Sequence, residues 1–111
     1  AVFQHEWRNS SHPYQSGPSL WFENSKLRSS NRILTELPIN EWILIDVTAK
    51  LGKNAGQWSV SVTIPNQLKK TFDQLPLVSD EWEQLDWLGF VSQADTDAVV
   101  LLDDLQLTHS E

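Results

Sequence analysis

The chain of 111 residues contains no cysteine and no methionine. Without cysteine there can be no disulfide, no thiol nucleophile and no thiolate zinc site. Basic residues are scarce: eight Lys and Arg stand against fifteen Asp and Glu, for a net charge of −7. That balance excludes nucleic acid as a partner, because phosphate binding needs a basic face. It disfavours an anionic membrane surface for the same reason. No apolar run approaches the roughly 20 residues that cross a bilayer, so membrane insertion is not expected. The sequence also lacks a Gly-rich phosphate loop, a G-x-S-x-G elbow and a P-loop. The opening AVFQHEWRN has neither a basic region nor a long apolar core, and so gives no signal-peptide pattern. Its start at Ala rather than Met reads as a processed or trimmed chain.

What is abundant is tryptophan, six in a short chain, and a hydrophobic period of two. WSVSVTI places Trp58, Val60, Val62 and Ile64 on one face and Ser59, Ser61 and Thr63 on the other, a half-buried strand. EWILIDVTAKL places Ile43, Ile45 and Val47 opposite Trp42, Leu44, Asp46 and Thr48. Between them KLGKNAGQW holds two Gly and an Asn, so the pair reads as a hairpin with a longer loop. Upstream, VFQHEWR sets Phe3, His5 and Trp7 against Gln4, Glu6 and Arg8, and the stretch NSSHPYQSGPS reads as loop. LWFE and RILTEL read as short strands, and NQLKKTFDQLP as either a strand near Phe72 or one helical turn. SDEWEQLDWLGFVS opens with helix signals, Ser79 as N-cap and acids in the first turn, and becomes a strand at WLGFVS. AVVLLDDLQLT reads as the last strand. No long helix and no internal repeat is supported. Many short strands separated by turn signals predict one all-β domain over residues 1–111, a sandwich or barrel.

Three segments taken together carry a resemblance: LPINEWILIDVTAKLGKNAGQWSVSVTIP, WEQLDWLGFVSQADTDAVVLLDDLQL, and HEWRN with YQSGPSLWF. Their order resembles the back portion of a concanavalin A-like jelly roll of the LamG-like kind, a module often appended to secreted bacterial proteins, notably planctomycete-type ones. The ending LLDDLQL is also similar to the last strand of several carbohydrate-binding modules. The resemblance implies a jelly-roll antiparallel β-sandwich, an extracellular, periplasmic or cell-surface location and a glycan ligand. Such jelly rolls are usually longer, so the chain reads as the C-terminal portion of one, with an exposed sheet edge to be covered.

Within LLDDLQL, Asp103 shares a strand face with Leu105 and Leu107, while Asp104 falls with Gln106 and Thr108. A carboxylate on an apolar face needs a partner. The resemblance implies a structural calcium at Asp103 and Asp104, joined by further oxygens because Ca2+ takes six to eight. The competing reading gives Asp103 backbone N–H partners at a strand kink and leaves Asp104 in water. Asp95 and Asp97 lack the Gly and closing Glu of an EF-hand loop.

Trp58 alternates with Val60 and Val62, Trp7 lies with Phe3, and Trp87 adjoins LGFV; these three are expected in the core. Trp21, out of phase with Leu20 and Phe22, and Trp42, in phase with Asp46 and Thr48, are the candidate sugar platforms, with Tyr14 as a third. Glu6, Arg8 and Asn24 are the candidate orienting groups. His5, His12 and His109 lack metal-ligand spacing, and a hydrogen-bonded structural role is expected for His5. Glu81, Glu83 and Asp86 in EWEQLD stand in the wrong order for the E-x-D-x-x-E of laminarinase-type glucanases, and read as a solvated acidic patch.

The functional expectation is a non-catalytic module that binds a polysaccharide or other glycan. A structural domain without a sugar site, docked on a parent enzyme or a partner chain, is the alternative. A glucanase-like hydrolase is the minor one.

Overall fold

A computed structural model of the chain describes residues 2–38, 41–53, 56–92 and 105–108. It holds eight strands: β1 Val2–Arg8, β2 Ser16–Glu23, β3 Lys26–Ser29, β4 Arg32–Glu36, β5 Leu44–Ala49, β6 Gln57–Thr63, β7 Lys70–Pro76 and β8 Trp87–Ser92. They form two antiparallel sheets, a five-stranded one in the order β4-β3-β2-β1-β8 and a three-stranded one in the order β5-β6-β7. The all-β expectation therefore holds, with two sheets arranged as a β-sandwich. Strand order supports this coarser architecture without selecting a jelly roll.

Both sheets feed one apolar cluster. Trp7, Leu20 and Leu27 come from the larger sheet, and Trp58, Val60, Val62 and Leu75 from the smaller. The alternation in WSVSVTI is realised: Trp58, Val60 and Val62 are buried and face Leu75 and Phe72 of β7. Ile45 and Val47 of β5 pair with Val62 and Val60 and pack on the same core. Trp58 satisfies its indole by donating to the Pro76 carbonyl at 2.9 Å, which makes its burial affordable in hydrogen-bond terms.

Three local expectations change and one open alternative is resolved. First, Ser16–Glu23 is one strand, so GPS belongs to β2 rather than to the loop. A bulge opposite Trp7, between the Glu6–Ser19 and Arg8–Ser16 pairs, accommodates Pro18 where the β1 ladder skips a donor. Second, NQLKKTFDQLP resolves as strand β7, with its own bulge at Gln74, φ 58°. Third, residues 77–86 contain no helix. Val78 N–H and Ser79 N–H donate to Gly17 and Ser16 carbonyls at 3.2 and 2.7 Å, which holds this stretch against β2 before it can wind. A single turn follows, closed by Trp82 N–H to the Ser79 carbonyl at 3.1 Å. That turn drops Trp82 into the core, only 1% exposed, with its ring flat on Gly17 where any Cβ would collide. Fourth, Leu105–Thr108 is not in a strand, and Leu105 and Leu107 are exposed, so the apolar alternation there has no inner face to serve.

Candidate functional site on the outer face of the five-stranded sheet

Strand β1 divides its side chains cleanly. Phe3, His5 and Trp7 look toward the partner sheet, and Gln4, Glu6 and Arg8 look outward. The pairings build the outer face in three rows. Arg28, Trp21, Gln4 and Val91 form one, Ser19, Glu6 and Gly89 the next, and Ser16, Arg8 and Trp87 the third.

Polar groups on an outward face are ordinarily wet. Here Gln4, Glu6 and Ser19 are buried, at 7%, 5% and 2% exposure. Burial of a carboxylate is tolerated only when it is paired and hydrogen-bonded. Glu6 meets this condition: Gln4 Nε2 donates to it at 2.9 Å, Ser16 Oγ at 3.3 Å, and the Arg8 guanidinium closes an ion pair through Nε and Nη2.

Arg8 is fixed in turn by aromatic rings. Its Cζ lies over both Tyr14 and Trp87, 4.2 Å from each ring centroid. Trp87 is positioned by Gly89 two residues on, on the same strand face. A Cβ at Gly89 would stand 2.6 Å from the indole, so only glycine lets the ring lie along the strand. Tyr14 is held by the loop that Asn9 staples. Asn9 N–H donates to the Gln15 carbonyl at 3.0 Å, its Oδ1 accepts from Gln15 N–H at 2.7 Å, and its Nδ2 donates to Gln15 Oε1 at 2.8 Å. At the far row, Arg28 lies over Trp21 at 4.9 Å.

Of the six candidate ligand residues, the structure thus brings four onto one face: Glu6, Arg8, Tyr14 and Trp21. Asn24 sits in the β2–β3 turn at φ 53°, as a turn residue. Trp42 precedes β5 in the other sheet and is 61% exposed, away from this face. Trp87 corrects the core expectation, being 41% exposed and part of the site. Its neighbours LGFV do reach inward, but at odd spacing from it: Leu88 packs on the core and Phe90 stacks on Phe3 at 5.4 Å. The spacing Trp-x-Gly was the legible signal, since it sets an indole over a residue without a side chain. Gln4, Ser16, Ser19, Arg28 and Gly89 were missed because each belongs to the site only through a cross-strand neighbour.

His5 lies on the inner face, opposite to Glu6 and Arg8 and paired with the buried Leu20. Its Nδ1 lies 2.9 Å from the Gly89 carbonyl, and its Nε2 accepts from Trp7 Nε1 at 3.0 Å. A carbonyl only accepts, so Nδ1 carries the proton and the ring is neutral. Burial lowers its pKa from 6.5, against the opposing effects of the Gly89 carbonyl and Glu6. It is the hydrogen-bonded structural histidine the sequence suggests.

Glu81, Glu83 and Asp86 are exposed. Glu81 accepts from Gln15 Nε2 at 3.1 Å and Asp86 from Gln84 Nε2 at 2.9 Å, an arrangement of a solvated patch. An open polar cavity of about 380 Å³ lies elsewhere, between Thr35, Glu36, Ile64 and Lys70, where Lys70 Nζ donates to Thr35 Oγ1 at 3.1 Å. Asp103, Asp104, Asp95, Asp97 and His109 lie outside the described residues, and with them the calcium expectation. Among the described residues no three His, Asp or Glu side chains cluster as a metal site, and no helix is long and apolar enough to cross a membrane. No protein-family model, curated protein or solved structure matches this chain.

Proposed function

We propose that the chain is a non-catalytic carbohydrate-binding module, an accessory part of an exported bacterial protein, and that its glycan lies across the outer face of the five-stranded sheet. The observation that supports this reading is a buried polar network on an outward face, ringed by aromatics. Tyr14 is 51% exposed and offers a flat apolar surface of the kind that complements the C–H face of a pyranose. Trp21 is half-buried in the far row. Between them Arg8 supplies donors at a fixed position. Glu6 already accepts from Gln4, Ser16 and Arg8, which suits an orienting anchor better than a proton-transfer group.

Isothermal titration calorimetry against a panel of soluble polysaccharides tests the proposal. Tyr14→Ala and Trp21→Ala are expected to weaken binding about tenfold or more, with the melting temperature of Tyr14→Ala unchanged. Failure of the wild-type chain to bind any member of the panel would overturn it. A second reading, docking on a parent enzyme or partner chain, draws on Trp42 and Leu44, which are 61% and 59% exposed beside one another at an edge strand among the described ones. If Trp42→Ala alone abolishes glycan binding, the site lies on that side and the assignment to the larger sheet is wrong.

A further inference from the structure

Resting on the carbohydrate reading, we infer that the glycan is acidic, and that a sugar carboxylate binds the free edge of the Arg8 guanidinium. A guanidinium has two faces and two usable edges with paired N–H donors. Around Arg8 the π surface and one edge are taken. Tyr14 and Trp87 cover its π surface at 4.2 Å, and Glu6 takes the edge formed by Nε and Nη2. The edge formed by Nη1 and Nη2 has no partner among the described residues, although the side chain remains 23% exposed.

What fits that edge is set by geometry. Two parallel N–H groups in a plane match the two oxygens of a carboxylate, and this bidentate pair is stronger and more directional than a bond to a single hydroxyl. Glu6 reduces the net charge at the site, but it also fixes the plane of the guanidinium, so less side-chain entropy is lost when an anion docks. Tyr14, half-exposed with the guanidinium over its ring, is the neighbouring platform for the sugar that bears the carboxylate. The charge distribution agrees. Residues 1–38, which carry β1 to β4, hold four basic and three acidic residues, whereas the remainder holds four and twelve. An acidic polymer is repelled least by this segment, although Arg8 and Arg28 on the outer face are themselves ion-paired, to Glu6 and, at 3.9 Å, to Glu23.

The test uses the whole chain with polygalacturonate and its fully methyl-esterified form, which share one backbone, together with dextran sulfate and a panel of neutral polysaccharides, each titrated at two salt concentrations. Polygalacturonate is expected to bind at least roughly tenfold more tightly than the ester, the range of one charge-assisted pair. Arg8→Lys, which keeps the charge and loses the second donor, is expected to erase that preference. The wild-type comparison of acid with ester stands even if the variant folds poorly. Equal binding of acid and ester overturns the inference, and so does dextran sulfate binding as tightly as polygalacturonate, which would show charge without shape. Binding confined to neutral polymers overturns it while leaving the carbohydrate reading intact. Binding to none of the polymers removes both.

Discussion

The two sheets turn very different faces to the outside. On the three-stranded sheet the outward residues are Leu44, Asp46 and Thr48 of β5, with Ser59, Ser61 and Thr63 of β6 beside them. They are small or solvated, and their one side-chain bond among the described residues is Ser61 to Thr71 at 3.1 Å, itself exposed. On the five-stranded sheet the outward residues are larger and partly withdrawn from water, and they hold one another through Glu6 and Arg8. A solvated face needs no order, because water satisfies each group separately. A buried polar network is stable only when every member is satisfied, so it fixes side chains in place. Fixed donors beside flat rings are what a ligand with hydroxyl and carboxylate groups can use. The difference between the two faces is therefore the reason to place the site on one of them.

The most severe way to break the comparison is to remove what carries both faces. Trp82→Ala empties a core position against Gly17, and a loss of about 3–5 kcal/mol is expected in chemical denaturation. For a chain of this size such a loss threatens folding outright. Next, the carboxylates of the two faces can be set against each other. Glu6→Gln strips the ion pair from a buried network and is expected to cost about 1–3 kcal/mol. Asp46→Asn on the solvated face should shift stability by no more than about 0.5 kcal/mol. Equal effects would mean that the Glu6 network is no more ordered than the other face.

Gly89→Ala tests whether Trp87 must lie along its strand. The added Cβ displaces the indole, which should alter tryptophan fluorescence and weaken glycan binding, with stability changed by about 1 kcal/mol or less. Intact binding in that variant would remove Trp87 from the site. A smaller effect concerns the inner side of the same strand. The His5 pKa is lowered on folding, so the unfolded chain takes up the proton first as pH falls. The stabilisation is fully present above pH 6.5 and is lost progressively below it, and a chain carrying His5→Asn should show a flatter thermal stability profile there. Ser61→Ala, which deletes the exposed bond on the solvated face, should be the least consequential, within about 0.5 kcal/mol.

Much of this was legible in advance because it depends on neighbours in sequence. The faces of β1, β5 and β6 follow from period two, and so does the separation of Glu6 and Arg8 from Phe3 and Trp7. Other features were hidden because long-range contacts decide them. Trp82 sits among acids in EWEQLD and looks like part of a surface helix until Gly17 and Ser16 capture the preceding N–H groups. Trp87 looks like core beside LGFV until Gly89 and Arg8 show that its ring lies on the outer face. Asn24 and Trp42 share the chemistry of the site residues but stand in a turn and beside the other sheet.

By itself the sequence determined the class of fold, all β, because alternation sorts apolar from polar side chains whatever the strands later pair with. It also determined that the chain cannot rely on disulfides and that it repels polyanions over most of its length. Which strands became neighbours, and so which outward residues met, only the tertiary structure decided. The pairing of Arg8 with Ser16 and Trp87 joins residues far apart in the chain. The order of strands across a sheet is set by packing and register rather than by local propensity, and in that order a surface strand became a candidate site.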